Sequence, residues 1–236
     1  ESMYEVFQDQ SFDLDESQII LLSSESTHDL LFPVIDVSDS RFTGVAFGND
    51  SHETAVFSAE ALGAGGQLLP LAVNPVLEGI APFGQLATLL RDLFKDPVTA
   101  PWKGWLRLRT SSPELSSFFQ IGNGVGSRPT LLDGGIAQSS PATQLVFSRV
   151  HQGEGAFPVG NGTLTATTHF YLANPNDAPL GAIVRLVGFD GIVRTQTPIN
   201  LPARGFTERE SDLLFGMERI DQGYVVLQFD EPGGIA

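Results

Sequence analysis

Apolar and polar positions alternate along most of the chain, which predicts β-strands rather than helices. Residues 164–172 are rich in β-branched and aromatic side chains and end at residues 174–177, an Asn-Pro-Asn-Asp turn sequence. Residues 183–189 form a second such run; Asp190-Gly191 and the run 192–195 follow, the pattern of a β-hairpin. Strands at this spacing, separated by glycine turns, favour an all-β fold of antiparallel β-sandwiches.

One short helix is also predicted. Apolar residues follow Pro82 at helical spacing, namely Phe83, Leu86, Leu89, Leu90 and Leu93. The corresponding stretch 206–215 is more charged and is expected to form one short turn. The helices that an α/β fold needs between successive strands are missing from the pattern.

Internal self-similarity divides the chain into two units. Residues 116–147 align with residues 1–32 without a gap. A second alignment continues in the same order, pairing 47–50 with 172–175, 57–67 with 183–192, 81–94 with 202–215 and 104–108 with 223–227. The predicted organisation is an N-terminal strand and linker (1–26), a first immunoglobulin-like β-sandwich repeat (27–141) and a second one (142–236).

The two ends of the chain fall at the same point of the predicted repeat. Residues 2–7 correspond to 117–122, the final strand of the first unit, whereas the second unit stops before its own final strand. A sandwich lacking a strand has unpaired edges, and an incoming strand satisfies them. One hypothesis is that the N-terminal strand completes the second unit of a neighbouring molecule. Three alternatives stay open: a fragment of a longer array, ordered residues that simply stop there, and closure of the chain's own second unit.

The strand-exchange hypothesis assigns residues to both sides of the contact. The expected donor strand carries Met3, Tyr4, Val6 and Phe7. The expected acceptor edge carries Tyr224, Val226, Leu227 and Phe229. Head-to-tail pairing of this kind does not close, so the partner is a further copy of the chain and the product is a homo-polymer. The alternative function is an adhesin-like module that binds a glycan or protein and is cut from a longer surface protein.

Charge and composition exclude several classes of partner. The chain has 13 basic and 28 acidic residues, a formal net charge of −15, which argues against nucleic acid and anionic lipid. It has no cysteine, so disulfides and thiol catalysis are excluded. No run reaches the roughly 18–20 apolar residues of a membrane helix, so no membrane insertion is expected.

No catalytic constellation is visible, and the chain is predicted to be neither an enzyme nor the carrier of a cofactor or metal. Its four histidines lack zinc-site spacing. Asp13, Asp15 and Glu16 are the best calcium candidates, without a calcium-loop pattern. Asn49 and Asn161 begin glycosylation sequons. The alternating strand around Trp105 favours core packing over a sugar-binding platform.

The repeat also resembles a known type of domain. The resemblance lies in Leu31-Phe32-Pro33, the strand running into residues 172–177, the Leu-Pro-Ala-Arg-Gly stretch 201–205, and the Gly-aromatic pairs Gly104-Trp105 and Gly223-Tyr224. Together they are similar to an uncharacterised tandem β-sandwich (immunoglobulin-like) repeat of large bacterial exported proteins. This resemblance implies export and an extracellular, cell-surface location. It implies no catalytic residue.

Overall fold

A computed structural model of the protein divides it into two compact units. Unit 1 comprises Glu1–Ala61 and Leu68–Ser140, and unit 2 comprises Leu62–Gln67 and Pro141–Ala236. The predicted boundary at 141/142 lies next to this division, although the structure groups residues 62–67 with unit 2. The residues that the structure describes are 28–96, 101–112, 114–123, 132–148, 150–159, 162–220, 223–231 and 235, with the backbone alone for 2–8, 13–20, 132, 155–159 and 162–166.

Unit 1 contains a two-stranded hairpin and two four-stranded antiparallel sheets. Its elements are β1 (Ser2–Gln8), β2 (Asp13–Ile20), β3 (Asp29–Val37), β4 (Arg41–Asn49), β5 (Ala55–Leu62), β6 (Val76–Ile80), β7 (Gln85–Leu89), α1 (Leu90–Leu93), β8 (Trp102–Thr110), β9 (Leu115–Asn123) and β10 (Leu132–Ile136). The hairpin pairs β1 with β2. The sheets have the strand orders β3-β8-β5-β6 and β10-β9-β4-β7.

Unit 2 contains one four-stranded sheet and two two-stranded sheets. Its elements are β11 (Gln144–Phe147), β12 (Gln152–Val159), β13 (Gly162–Thr167), β14 (His169–Ala173), β15 (Leu180–Val187), β16 (Val193–Leu201), β17 (Phe206–Glu210), α2 (Ser211–Phe215) and β18 (Tyr224–Phe229). The sheets have the orders β11-β18-β15-β16, β12-β13 and β14-β17. The all-β prediction is therefore confirmed.

The four-stranded sheet of unit 2 has the same strand order as the first sheet of unit 1. The strands β11, β18, β15 and β16 take the places of β3, β8, β5 and β6. The pairing of β14 with β17 likewise matches that of β4 with β7. This match corrects one sequence alignment, because the buried positions of β5 and β15 coincide only when Phe57 is placed on Ala182 rather than on Ile183.

The two sheets of unit 1 pack against each other through aromatic rings. Phe32 on β3 contacts Phe47 on β4 and Phe119 on β9 edge to face, with ring centroids 6.2 Å and 5.9 Å apart. Trp105 on β8 is fully buried, so its predicted place in the core is confirmed. Trp102 is buried as well, and neither indole forms an exposed sugar-binding platform.

Unit 2 has a corresponding core. Phe170 on β14 is fully buried and contacts Phe147 on β11 and Phe215 on α2, with ring centroids 5.0 Å and 6.3 Å apart. Apolar side chains of β15 and β18 belong to the same cluster. Burial of this apolar area is the main source of stability for the unit.

The single helix predicted over residues 83–93 is wrong for most of its length. Phe83 has a φ of 54° and lies in a turn, and Gln85–Leu89 form β7, which pairs with β4. Only α1 is helical. Helical spacing of apolar residues arises here because a turn, a partly buried strand and one helical turn each contribute some of them. The stretch 206–215 divides in the same way into β17 and α2.

A buried asparagine closes the same loop in each unit. Asn49 is 1% exposed, and its Nδ2 donates to the carbonyl oxygens of Glu53, Ile80 and Ala81 at 2.7, 3.0 and 3.0 Å. Its Oδ1 accepts from the backbone N–H of Ser51 at 3.1 Å. The amide that glycosylation would modify is thus buried and bonded in the folded unit. The other sequon residue, Asn161, lies outside the described residues.

Asn174 has the same role in unit 2. It is fully buried; its Nδ2 donates to the carbonyl oxygens of Ala178 and Pro202 at 2.8 and 2.9 Å, and its Oδ1 accepts from the N–H of Asn176 at 3.0 Å. Each amide joins the end of one strand to the turn that precedes another. Removing it leaves buried backbone groups without partners, which is costly.

We expect Asn174→Ala to lower the free energy of unfolding by about 2–3 kcal/mol, because two carbonyls and one N–H lose a buried partner. Urea denaturation followed by circular dichroism measures the change. The matched control is Asn200→Ala, at an exposed position of β16, for which little change is expected. Equal losses in the two variants would contradict the role of the buried amide.

Candidate functional site: an open sheet edge and two exposed turns

The acceptor edge predicted from the sequence is not an edge. The strand that carries Tyr224, Val226, Leu227 and Phe229 is β18, which lies between β11 and β15 and pairs with both. Leu227 and Phe229 are buried in the core of unit 2. An interior strand has no free backbone side for an incoming strand, so this assignment is wrong. Although β18 is the last strand along the chain, sheet order does not follow chain order, and β18 lies inside the sheet.

The predicted donor residues lie on β1. The structure pairs β1 with β2 in an antiparallel hairpin, and β1 has no further partner among the described strands. The side chains of Met3, Tyr4, Val6 and Phe7 lie outside the described residues. The β1–β2 hairpin precedes β3 along the chain just as the β9–β10 hairpin precedes β11.

In the part of unit 2 that the structure describes, β14 has one side almost without strand partners. In unit 1 the equivalent strand, β4, has β7 on one side and β9 along the whole of the other. In unit 2, β17 covers one side of β14. On the other side, the described residues contribute only an isolated bridge between Ala173 and Ile235, with N–O distances of 3.0 and 3.1 Å. This bridge takes the place of the Gly48–Ser116 pair near the start of β9.

The side chains of β14 alternate between the core and the surface. Phe170 and Leu172 are buried. On the other face the rings of His169 and Tyr171 stack with centroids 6.4 Å apart, and Tyr171 also stacks with Phe206 of β17 at 6.4 Å. A strand with a buried inner face and one side open is a template for strand addition.

In unit 2, the loop that follows β5 covers the turn that precedes β17. The carbonyl oxygen of Ala64 accepts a hydrogen bond from the N–H of Phe206 at 3.2 Å. Gly66 has a φ of 81°, and a Cβ at this position would collide with the carbonyl oxygen of Ala203. Glycine therefore permits a backbone-to-backbone approach that no other residue allows.

The loop between β15 and β16, residues 188–192, has the same backbone conformation as residues 63–67. It is called here the apolar loop. Gly188 donates to the carbonyl of Ile192, and Gly191 donates to that of Gly188, each at 2.9 Å. Gly191 has a φ of 78°, but a Cβ there would meet nothing within 4 Å. Phe189 is 67% exposed and Ile192 is 56% exposed. The hairpin predicted around Asp190-Gly191 is confirmed.

Asp190 holds the apolar loop in shape. Its Oδ1 accepts from the backbone N–H of Ile192 at 3.1 Å, and its Oδ2 accepts from Nη2 of Arg194 at 2.7 Å. The bond from Ile192, helped by the Arg194 guanidinium, lowers the pKa of the Asp190 carboxyl. The loop is thus pre-organised although its apolar side chains face solvent.

The turn before β7, residues 81–85, is called here the Phe83 turn. Gly84 donates to the carbonyl of Ala81 at 2.9 Å, as Gly205 donates to that of Pro202 in unit 2. Phe83 is 66% exposed and has a φ of 54°. A cavity of about 330 Å³ opens beside this turn, with walls from β6, β7 and α1.

The described part of the chain contains no group of three or more His, Asp or Glu side chains placed to hold a metal ion. His28 lies with Nδ1 2.8 Å from the carbonyl oxygen of Thr110, and His169 faces Glu208 at 3.4 Å. The calcium candidates Asp13, Asp15 and Glu16 lie on β2, and their side chains are outside the described residues. Among the described helices, none has the length and apolar character needed to cross a membrane.

Sequence reasoning missed the sparsely paired side of β14 and both exposed turns. A signal for the apolar loop was present, since Phe189 and Ile192 flank an Asp-Gly turn where polar residues are usual. No comparable signal marks β14, whose alternation is that of any half-buried strand.

Comparison with known proteins gives little beyond the geometry. No family model and no curated protein matches the chain. Among solved structures, it is similar to a protein described as "Crystal Structure of Thermotoga maritima 1070", with 15% identity and a TM-score of 0.36. That match covers 48% of this chain and 94% of the other. A likeness this weak carries no argument about function, and the family resemblance stays a prediction.

We expect the Asp190 carboxyl to titrate below the ordinary Asp value of about 3.9. Arg194→Gln should raise the pKa of Asp190 only part of the way to the ordinary value, because the Ile192 N–H still donates to the carboxylate. Since the pKa is lowered in the folded state, the ionised carboxylate stabilises the loop at neutral pH, and this stabilisation is lost as the pH falls through the folded pKa. Carboxyl ¹³C NMR titration measures both values. An Asp190 pKa at or above the ordinary value would contradict this.

Proposed function

We propose that the chain is a non-enzymatic extracellular structural protein whose copies assemble head to tail by β-strand donation. In this assembly β1 of one copy lies antiparallel along the open side of β14 in the next. The observation that carries the proposal is the contrast between two equivalent strands. Strand β4 is covered by β9 over its whole length, whereas the described residues cover the same side of β14 only at Ala173.

The identity of the donor follows from the repeat. Residues 1–32 align with 116–147 without a gap, so β1 and β2 correspond to β9 and β10. Both pairs form antiparallel hairpins. Because β9 is the strand that covers β4, its counterpart β1 is the strand that fits β14.

The pairing of β4 with β9 also sets the register of the donated strand. Transferred to unit 2, it places Tyr4 opposite Phe170 and Ser2 opposite Leu172. Tyr4 then takes the position of Phe119, whose ring packs on Phe32 in unit 1. In unit 2 the corresponding contact is with Phe147, so Tyr4 is the anchor of the donated strand.

Such a contact joins different surfaces of the two copies and does not close on itself. It therefore builds an open polymer rather than a dimer. Backbone hydrogen bonds along β14 supply affinity, and the inward position of Tyr4 supplies specificity. The extracellular location is supported by the cysteine-free composition and by the resemblance to exported surface repeats.

We expect the wild-type chain to form regular filaments and the Tyr4→Asp, Val6→Asp double variant to remain a folded monomer. A carboxylate at position 4 would have to be buried against Phe170, which is strongly unfavourable. Electron microscopy and light scattering give the assembly state, and circular dichroism checks the fold. The control adds the same two charges at exposed positions, Val56→Asp with Leu213→Asp, and should still assemble.

Filaments of normal length from the Tyr4, Val6 double variant would exclude β1 as the donor. A wild-type chain that stays monomeric at every concentration would also overturn the proposal. A synthetic peptide of residues 1–10 provides a second test in the wild-type chain. It should shorten the filaments, whereas a scrambled peptide of the same composition should not.

A further inference from the structure

We propose that a second contact joins the same two copies, in which the apolar loop (188–192) of one copy docks on the Phe83 turn (81–85) of the next. The inference rests on the proposed head-to-tail assembly and adds a second recognition surface to it. Its partner is a further copy of this chain. It is carried by a contact that the structure already contains in unit 2.

That contact is the loop of residues 63–67 seated on the turn of residues 202–206. Phe206 donates its N–H to the carbonyl of Ala64 at 3.2 Å. Gly205 lies so close that a Cβ there would be 2.7 Å from the same carbonyl oxygen. The two backbones are in direct contact, and glycines on both sides make this possible.

A second loop and a second turn with the same backbone conformations occur elsewhere in the chain. The apolar loop matches residues 63–67, with the same two internal hydrogen bonds and a φ of 78° at Gly191 against 81° at Gly66. The Phe83 turn matches residues 202–206, with a φ of 54° at Phe83 against 53° at Arg204. The second pair of surfaces is exposed, as the solvent-facing Phe189 and Phe83 show.

Docking these surfaces as in unit 2 specifies the new contact atom by atom. The N–H of Gln85 in one copy donates to the carbonyl of Phe189 in the other. Gly191 lies against the carbonyl of Pro82, in the place that Gly66 has against Ala203. The backbone conformations needed are already present in each copy, so little ordering cost opposes the contact.

The side chains of the exposed loop and turn are larger and more apolar than those at the contact within unit 2. A contact between separate molecules requires this difference. In the contact within unit 2 the loop carries Ala64 and Gln67 and the turn carries Arg204, which are small or polar. Their counterparts in the second pair are Phe189, Ile192 and Phe83, which are large and apolar. A contact between separate molecules must offset the loss of translational and rotational freedom, and burial of these exposed apolar side chains supplies the free energy.

The two contacts have the same direction along the polymer. The copy whose unit 2 receives β1 also presents the apolar loop, because β14 and residues 188–192 both belong to unit 2. The copy that donates β1 presents the Phe83 turn from unit 1. One junction therefore holds two independent attachments, and the second forms at high effective concentration once the first is made.

The test compares two glycine substitutions that are alike in the isolated chain. Gly191 and Gly216 both have positive φ, 78° and 63°, and a Cβ at either meets nothing within 4 Å. Gly191→Ala and Gly216→Ala therefore carry similar backbone strain without a clash. Only at position 191 would the new methyl group collide with the carbonyl of Pro82 in a neighbouring copy.

Sedimentation velocity over a concentration series measures assembly of the full-length wild type, both glycine variants and the Tyr4→Asp, Val6→Asp variant. Thermal denaturation checks that the two glycine variants are equally stable. We expect Gly191→Ala to raise the concentration for half-assembly by about tenfold or more, as overpacking at a close contact does. Gly216→Ala should change it by less than about twofold.

If Gly191→Ala assembles like Gly216→Ala, the loop contact is overturned, and the Tyr4, Val6 variant still decides strand donation on its own. If Gly191→Ala is impaired while the Tyr4, Val6 variant assembles normally, the loop contact stands and strand donation fails. A wild-type chain that is monomeric at every concentration overturns both.

Discussion

The hydrogen bonds of one buried amide in each unit fix the surfaces on which the rest of the molecule depends. Asn49 ends β4 and holds the carbonyls that lead into the Phe83 turn; Asn174 ends β14 and holds the equivalent turn at Pro202. In each unit the end of this strand and the neighbouring turn are thereby kept in a fixed relation. A buried amide whose hydrogen bonds are all made fixes this relation more strictly than apolar packing, which is not directional.

The two units share the strand order of one four-stranded sheet and differ in the strands described for the second sheet. The four-stranded sheet is the same in both, down to the pairing of β15 with β16 and of β5 with β6. The second sheet is complete in unit 1, whereas in unit 2 the described strands of that sheet are β14 and β17. Unpaired backbone at a sheet edge is unfavourable, and this same cost becomes the driving force when a strand is added. In the proposed assembly, strand addition would satisfy the same hydrogen-bonding requirement that stabilises each sheet.

Sequence patterns predict local features of this protein well and non-local ones poorly. The hairpin at Asp190-Gly191 follows from residues that are neighbours in the chain, and so does the all-β class. The position of β18 between β11 and β15 does not, because alternation fixes which face of a strand is buried and leaves its neighbours undetermined. The apolar pattern predicts a helix where β7 lies, because the sequence does not indicate the positive φ of Phe83, which phenylalanine rarely adopts. The correspondence of β1 with β9 follows from the sequence repeat, whereas the sparse pairing of β14 among the described residues is visible only in the strand order.

The common register of the two four-stranded sheets has a consequence for how such a chain can change in length. A third unit inserted between the present two would find the same strand positions and the same asparagine-held turn on either side of it. The surfaces proposed to join copies, β1 with the Phe83 turn and β14 with the apolar loop, would be unaltered. In the proposed assembly, chains of different unit number would then be interchangeable subunits of one copolymer, and duplication or loss of a unit would leave assembly unchanged.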